Sequence, residues 1–244
     1  MNSTFAGNPY ADYLGADLTD RYAKGRRPID VCGLHAQADG SLVAEFWHWE
    51  WDAPPAPLDV TALLPELAAA RSAMLDGPQA LANPGERMRQ CERLCGAAGK
   101  TPDRPPVDLP FAGFVRSSVE LFCALADADL PVSPDNFAGG VSEAYPGDAW
   151  KRLAPGLMNK AKPQGRQARK AILERLGVRN LPESPSHDHL DACLCALIAA
   201  AADGKVAGLA VRSLGAPLLR DSEGVWREGP MATLESIQPL ALDS

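Results

Sequence analysis

The longest apolar run in the sequence constrains the fold most strongly. Ala192 to Ala202 is an eleven-residue run without a polar side chain, between Asp191 and Asp203. A helix that is apolar on every side has to be buried. A membrane-spanning helix needs about 20 apolar residues, so this run is too short to cross a bilayer. With 46% hydrophobic and 23% charged residues, the composition is that of a globular protein. The run therefore predicts a helix enclosed in the core of such a protein.

Extended and helical patterns alternate along the 244 residues, which predicts an α/β protein. The turn Ala38-Asp39-Gly40-Ser41 indicates a hairpin between two of the strands. Strands are expected at Tyr13–Asp17, Ile29–His35, Leu42–Trp51, Ser72–Leu75, Gly140–Tyr145, Val206–Ser213 and Gly224–Arg227. Helices are expected at Leu58–Ala70, Pro84–Cys95, Phe114–Ala126 and Gly165–Leu176, and from Asp188 onward.

The organisation predicted along the chain is simple. Residues 1–11 are expected to be a flexible lead, and residues 12–244 a single domain with an inserted loop and helix around 79–113. The polar N-terminus shows no secretory signal pattern. The six cysteines are scattered without a Cys-x-x-Cys motif, so we expect reduced thiols and a cytoplasmic protein with no membrane partner.

Acidic residues recur at or near the ends of predicted strands. Asp17, Asp76 and Glu143 occupy such positions, and Asp188 with Asp191 opens the apolar helix. Several carboxylates around one sheet need a counter-cation, because an unpaired buried charge is costly. Oxygen ligands suit Mg²⁺ or Mn²⁺, whereas zinc would be expected with Cys or His ligands. The sequence therefore predicts a centre for one or two Mg²⁺ or Mn²⁺ ions.

Each acid also has a purely structural interpretation. Asp17 can begin a loop, and Asp76 can turn the chain before Gly77. Asp188 can cap its helix with Asp191 as the capping-box partner. Capping accounts for only one of the four sites, so the group as a whole favours a metal centre. His187, next to Asp188, is a candidate supporting or proton-transfer group.

Charge is distributed unevenly in this acidic chain. The net charge is −7, yet residues 151–175 carry eight basic side chains and one acid, a formal +7. A one-sided basic segment can follow phosphates, as Lys160, Arg166 and Arg169 would do here, although a solvated surface is the alternative. A phosphotransferase or nucleotide hydrolase is disfavoured because no glycine-rich phosphate loop is evident.

Several short motifs occur along the chain in a fixed order. They are Gly15-Ala16-Asp17, Asp76-Gly77-Pro78-Gln79-Ala80, Arg89-Gln90-Cys91-Glu92, Glu143-Ala144-Tyr145-Pro146 with Trp150, Lys160 with Gly165-Arg166 and Arg169, and His187-Asp188-His189-Leu190-Asp191-Ala192. In these motifs the chain resembles the domain of unknown function 429 family, a group of predicted nucleases with a ribonuclease H-like fold. The similarity covers roughly residues 12 to 230, and its most specific parts are the Glu-x-Tyr-Pro and His-Asp-x-x-Asp-Ala elements.

The resemblance implies an α/β fold, a ribonuclease H-like mixed sheet flanked by helices on both faces. It also implies a divalent-metal-dependent nuclease that hydrolyses phosphodiester bonds of nucleic acid, whether DNA or RNA. Asp17, Asp76, Glu143 and Asp188 would then be metal ligands, and Asp191 a further catalytic acid. Arg89 joins the candidate phosphate contacts on the resemblance alone. The alternative is a catalytically silent nucleic-acid-binding or regulatory module whose acids are structural.

Overall fold

The computed structural model of the protein describes residues 10–52 and 54–236. Residues 1–9 of the expected lead lie outside this part. The described residues form ten strands: β1 (Tyr13–Asp17), β2 (Ile29–Ala36), β3 (Leu42–Trp49), β4 (Ser72–Asp76), β5 (Val141–Ala144), β6 (Val178–Arg179), β7 (Leu209–Leu214), β8 (Leu218–Arg220), β9 (Trp226–Glu228) and β10 (Met231–Ser236).

Eight of these strands form one mixed sheet in the order β6-β3-β2-β1-β4-β5-β10-β7. The central strands β1, β4, β5 and β10 run parallel. Strand β2 pairs antiparallel with β1 and β3, β7 pairs antiparallel with β10, and the short β6 pairs in parallel with β3. The predicted hairpin is confirmed as β2 and β3. Because β1 and β4 are adjacent and parallel, their carboxyl ends meet at the same edge of the sheet.

Helices cover both faces of the sheet. They are α1 (Leu64–Ala69), α2 (Gln90–Cys95), α3 (Ala112–Asp127), α4 (Pro146–Leu153), α5 (Pro163–Arg175) and α6 (His187–Ala202). The helices α4, α5 and α6 share a core with one face, and α1 and α3 share a core with the other. This arrangement confirms the expected mixed sheet flanked by helices on both faces.

The predicted apolar helix is α6, and it is buried along almost its whole length. Gly15 of β1 allows this close packing, since a Cβ atom there would lie 2.1 Å from the backbone nitrogen of Ala196 and 2.2 Å from the carbonyl oxygen of Ala192. Strand and helix backbones are therefore in direct contact. This contact fixes the first turn of α6 above the ends of β1 and β4.

Several predicted boundaries are wrong. The expected helices Leu58–Ala70 and Pro84–Cys95 are reduced to α1 and α2, and the strand β10 and helix α4 were not predicted. Helix α1 begins at Leu64 because Pro65 fits only a first turn. The capping interpretation of Asp188 is also wrong, because the cap of α6 is Ser186, whose hydroxyl accepts a hydrogen bond from the backbone N–H of His189.

Within the part of the chain that the structure describes, no helix combines the length and the apolar character that a membrane span requires. The six cysteines all belong to that part, and all are free thiols.

Candidate metal centre

The end of the parallel strand pair brings the first two acids together. Asp17 is the last residue of β1 and Asp76 the last of β4, and the two are direct register partners. Side chains alternate between the faces of a strand. Tyr13 and Met74 belong to the core beneath α6, so Asp17 and Asp76, at even spacing from them, point to that same face. The sheet thus presents two adjacent carboxyls to α6.

Helix α6 supplies the other two acids from its first turns. Asp188 and Asp191 stand three residues apart and are both buried, on one helical face. Asp17 and Asp188 share a hydrogen bond between their carboxyl groups, and Asp191 interacts electrostatically with both Asp17 and Asp76. Four acids from three elements therefore interact with one another at this end of the sheet.

Burial and mutual repulsion dominate the acid–base behaviour of this cluster. Burial, followed by the neighbouring charges of Asp76 and Asp191, holds the pKa of Asp17 well above its ordinary value. Burial and the charge of Asp191 raise the pKa of Asp76 to about 8. Burial opposes ionisation of Asp188 too, but the Asp17 hydrogen bond, His187 and Arg27 outweigh it and lower its pKa. The surroundings therefore favour the protonated form of Asp17 and Asp76 and the ionised form of Asp188.

Basic and aromatic side chains orient the two helix acids. The Nζ of Lys160 lies 2.5 Å from Oδ2 of Asp191, and the indole N–H of Trp150 donates to Oδ1 of Asp191 over 2.7 Å. Although burial opposes the charge of Lys160, the pKa of this amine is raised, mainly by Asp191. Both oxygens of Asp191 thus have partners within the protein, and Lys160 brings a positive charge to the centre.

Asp188 is held in a similar way. Arg27 donates to its Oδ2 over 2.7 Å, and the Nε2 of His187 lies 2.9 Å from its Oδ1. Both basic side chains are substantially exposed, so they approach the acid from solvent. His187 therefore lies where the sequence predicted a supporting group, and Arg27 is a further one that the sequence did not indicate.

Glu143 and Arg89 form a separate pair beneath this centre. The side chains are only 2% and 1% exposed. Arg89 donates to both oxygens of Glu143, over 2.5 and 2.6 Å, and also to Glu92. The backbone N–H of Gln79 donates to Glu143 as well. This geometry corrects two expectations. Glu143 is occupied by a guanidinium instead of standing open to a metal, and Arg89 is too deeply buried to contact a phosphate.

The remaining predicted phosphate contacts differ in their surroundings. Lys160 and Arg169 line a cavity of about 340 Å³ that also reaches Asp76 and Asp191. Arg169 donates to the carbonyl oxygens of Met158 and Gly165, so it braces the loop before α5. Arg166 donates to the carbonyl of Ala161. It does not line this cavity.

A row of polar side chains crosses the sheet from Asp76 and Asp17 to the next two strands, β2 and β3. Asp30 on β2 is the register partner of Asp17, and His48 on β3 is the register partner of Asp30. His189 of α6 contacts Asp30 from above. The sequence interpretation missed these three residues. Counting back from the hairpin turn, where Ala36 pairs with Leu42, would have placed Asp30 opposite His48.

The donor set of the four-acid cluster fits a hard divalent cation. Asp17 and Asp76 offer carboxylate oxygens, the ligands that Mg²⁺ and Mn²⁺ favour. The oxygens of Asp188 and Asp191 already contact protein groups, but neither acid is held by a buried guanidinium on both oxygens, as Glu143 is. Burial, followed by the charges of neighbouring carboxylates, raises the pKa values of Asp17 and Asp76, so ionising them is unfavourable within the protein alone. A bound divalent ion would favour their ionised form.

Comparison with known proteins assigns the chain to a family. A family described as "Protein of unknown function (DUF429)" matches residues 31–213. The chain belongs to this family. The match includes Asp76, Asp188 and Asp191 of the cluster, whereas Asp17 precedes it. No curated protein matches this DUF429 protein at a significant level.

Among solved structures, the DUF429 protein is similar to one described as "Thermus thermophilus RuvC structure". The identity is 17%, and the alignment covers 79% of this chain and 96% of that chain with a TM-score of 0.34. A superposition this loose says nothing about the chemistry of the present chain.

Proposed function

We propose that the protein is a divalent-metal-dependent nuclease that hydrolyses phosphodiester bonds of nucleic acid. The observation that carries the proposal is the convergence of Asp17, Asp76, Asp188 and Asp191 from two parallel strand ends and one helix. Asp17 and Asp76, the two register partners, have raised pKa values. Four acids so placed suit Mg²⁺ or Mn²⁺. The ligand set proposed here omits Glu143, which Arg89 already neutralises.

The chemistry that such ions supply when bound is activation of water and stabilisation of the leaving oxygen of a phosphodiester. The chain's own residues prepare the site for it. Arg27 and His187 favour the ionised form of Asp188. Trp150 and Lys160 fix the orientation of Asp191, and the Lys160 ammonium, with its side chain 46% exposed, can also pair with a substrate phosphate.

The basic segment 151–175 supports nucleic acid as the substrate. Lys151 and Lys160 both line the cavity beside Asp76 and Asp191, so part of this positive segment adjoins the acidic centre. Lysine side chains at such a place neutralise phosphates next to the reacting one. We therefore propose that the substrate is a DNA or RNA strand whose backbone passes over the four acids toward α4 and α5.

The decisive experiment compares Asp17→Asn with the parent in a nuclease assay on labelled DNA and RNA oligonucleotides, with Mn²⁺ or Mg²⁺. Losing a ligand and its charge should lower the cleavage rate at least about a hundredfold, because even indirect partners of metal ligands contribute 10- to 100-fold. The matched control is Asp127→Asn, an exposed acid at the end of α3, which should cleave like the parent. Equal cleavage by Asp17→Asn and the parent would refute the proposal.

Thermal unfolding separates a nuclease from a silent module whose acids are structural. Mn²⁺ should raise the melting temperature of the parent, because an ion that binds only the folded state adds about 2.7 kcal/mol at a hundredfold excess over its dissociation constant. Asp17→Asn should gain less. Oligonucleotide binding without cleavage and without a metal response would favour the silent module, and cleavage of nucleotides alone would favour a nucleotide hydrolase.

A further inference from the structure

A second cluster of metal-ligating side chains lies beside the four-acid centre. Asp30, His48 and His189 come from β2, β3 and α6, respectively. They continue the row that begins with Asp76 and Asp17, since Asp30 is opposite Asp17 and His48 is opposite Asp30. None of the three belongs to the ligand set proposed for the nuclease centre.

The three ligand atoms have the spacing of a metal site. The Nδ1 of His48 and the Nε2 of His189 each lie 3.3 Å from Oδ1 of Asp30, and all three atoms lie within 4.8 Å of one another. Metal–ligand bonds of about 2.0–2.1 Å in a tetrahedral site separate neighbouring ligand atoms by about 3.3 Å. A charged hydrogen bond between N and O is shorter, about 2.7–2.9 Å. The cluster therefore matches ligands around an ion better than it matches a hydrogen-bonded pair of ions.

Packing orients both imidazole rings toward Asp30. The ring of His189 lies 5.2 Å from that of Phe46 and is stacked on His48 at 6.3 Å between centroids. The Nδ1 of His189 is buried, and among the described residues no group bonds to it. Its Nε2 is thus the nitrogen that faces the cluster. The two rings present one nitrogen each to the same carboxylate oxygen.

The exposure of the cluster allows an ion to enter. The side chain of Asp30 is 14% exposed, that of His189 27% and that of His48 50%. The site is therefore shielded from solvent at Asp30 and open to solvent at His48. Three protein ligands with an open fourth position are typical of zinc sites in which water completes the shell.

We propose that Asp30, His48 and His189 form a binding site for Zn²⁺, distinct from the Mg²⁺ or Mn²⁺ centre. Two imidazoles and one carboxylate select a borderline ion over Mg²⁺, which prefers an all-oxygen shell. An ion here ties the first turn of α6 to the β2–β3 hairpin. Because His189 follows Asp188 directly, the zinc site positions the turn that supplies Asp188 to the neighbouring centre.

The test measures Zn²⁺ affinity of the full chain by competition with a chromophoric chelator, after removal of bound metals. The parent should bind Zn²⁺, and His48→Gln and Asp30→Asn should each bind it at least about a hundredfold more weakly, since each loses a direct ligand. His35→Gln is the matched control. This histidine lies on β2 near the opposite end of the strand, and its removal should leave the affinity unchanged.

A double variant, Asp17→Asn with Asp76→Asn, separates this site from the nuclease centre. It should keep the parent's Zn²⁺ affinity while losing Mn²⁺-dependent cleavage. Equal Zn²⁺ affinity of His48→Gln and the parent would overturn the zinc proposal and leave the nuclease proposal standing. Zn²⁺ binding that disappears only in the double variant would likewise overturn it, by placing the ion among the four acids. His48 is half exposed, so its substitution leaves the fold intact, and circular dichroism verifies this.

Discussion

At the level of single residues, the same carboxylates that suit a cation destabilise the protein without one. Asp17 and Asp76 stand side by side with raised pKa values, and Asp191 contributes to both shifts. Lys160 lowers the pKa of Asp76 but does not restore it to its ordinary value. The proposed metal binding and the stability of the metal-free protein therefore oppose each other at this point of the sheet.

The metal-free protein should lose stability as the pH rises from about 4 toward 8. The pKa of Asp76 is 3.8 ordinarily and about 8 in the folded protein, so in this interval the carboxyl is protonated when folded and ionised when unfolded. The stabilisation that Asp76 contributes is complete below the pKa of the unfolded state, and it is lost as the pH rises through the pKa of the folded state. The slope is at most about 1.4 kcal/mol per pH unit for one such group.

Urea denaturation in the presence of chelator, at several pH values between about 5 and 8, measures this slope. Asp76→Asn should flatten it, because the amide does not titrate, whereas Asp127→Asn should keep the parent's slope. A slope in Asp76→Asn as steep as in the parent would show that Asp76 ionises normally in the folded protein.

The sequence predicted individual acids better than it predicted their partners. Asp17 and Asp76 could be picked out from the sequence because each ends an apolar strand pattern. Asp188 and Asp191 could be picked out because they open an apolar helix. The pairing of Glu143 with Arg89 joins residues 54 positions apart in the sequence, and no local pattern reports such a contact. The same holds for Arg27 and Asp188, which are 161 positions apart.

At the level of elements, the contact between β1 and α6 determines the geometry of the site. Asp17 belongs to β1 and Asp76 to its parallel neighbour β4, whereas Asp188 and Asp191 belong to α6. Their separation is therefore set by how closely the strand and helix approach, which Gly15 makes possible. Ser186 then fixes where the helix begins, by accepting a hydrogen bond from the N–H of His189.

Gly15→Ala should destabilise the protein by about 3 kcal/mol or more, above the middle of the range for overpacked cores. The added methyl group would collide with helix backbone at 2.1 and 2.2 Å, and a backbone cannot yield as a flexible side chain can. Gly99→Ala is the matched control, because a Cβ there meets nothing within 4 Å. Urea unfolding of both variants measures the difference. Equal stabilities would mean that α6 shifts freely over β1.

Local patterns predicted the core elements but not those that depend on distant pairing. The hairpin β2–β3 and the helices α3, α5 and α6 follow from alternation, helical spacing and the C-terminal Gly177, whose φ is +88°. The strand β10 escaped prediction because it inserts between β7 and β5, and its parallel partner β5 is far from it in sequence. The two-residue strand β6 is too short to leave a pattern.

At the level of the whole molecule, the basic part of the chain lies beside the acidic centre. The basic segment 151–175 runs from the end of α4 through the loop after it and along α5, and Lys151 and Lys160 line the cavity that reaches Asp76 and Asp191. Some of its charges are already used, such as Arg152 with Asp148 and Lys170 with Glu174. The remaining exposed cations, Lys151 among them, are the ones a nucleic acid would meet.

The charge of this segment should govern how nucleic-acid binding responds to salt. We expect the double variant Lys151→Glu with Arg166→Glu to bind a duplex oligonucleotide more weakly. Its plot of log affinity against log salt concentration should flatten by about 0.9 for each phosphate that the protein no longer neutralises. Arg169 is unsuitable for this test because it is buried and holds the carbonyls of Met158 and Gly165, so that reversing its charge would disturb the loop. The bond of Arg166 to the carbonyl of Ala161 is exposed, so its loss matters less.

The control for this measurement is Lys205→Glu, a charge reversal at an exposed position beyond the C-terminal end of α6, at the opposite end of that helix from the four acids. It changes the net charge of the molecule by two units, half the change of the double variant, but leaves the basic segment intact. A slope like that of the parent is therefore expected, because counterion release depends on contacts at the interface and only weakly on distant charge. If the double variant and the parent show the same slope, residues 151–175 are a solvated surface, and the nucleic acid approaches the acidic centre from another side.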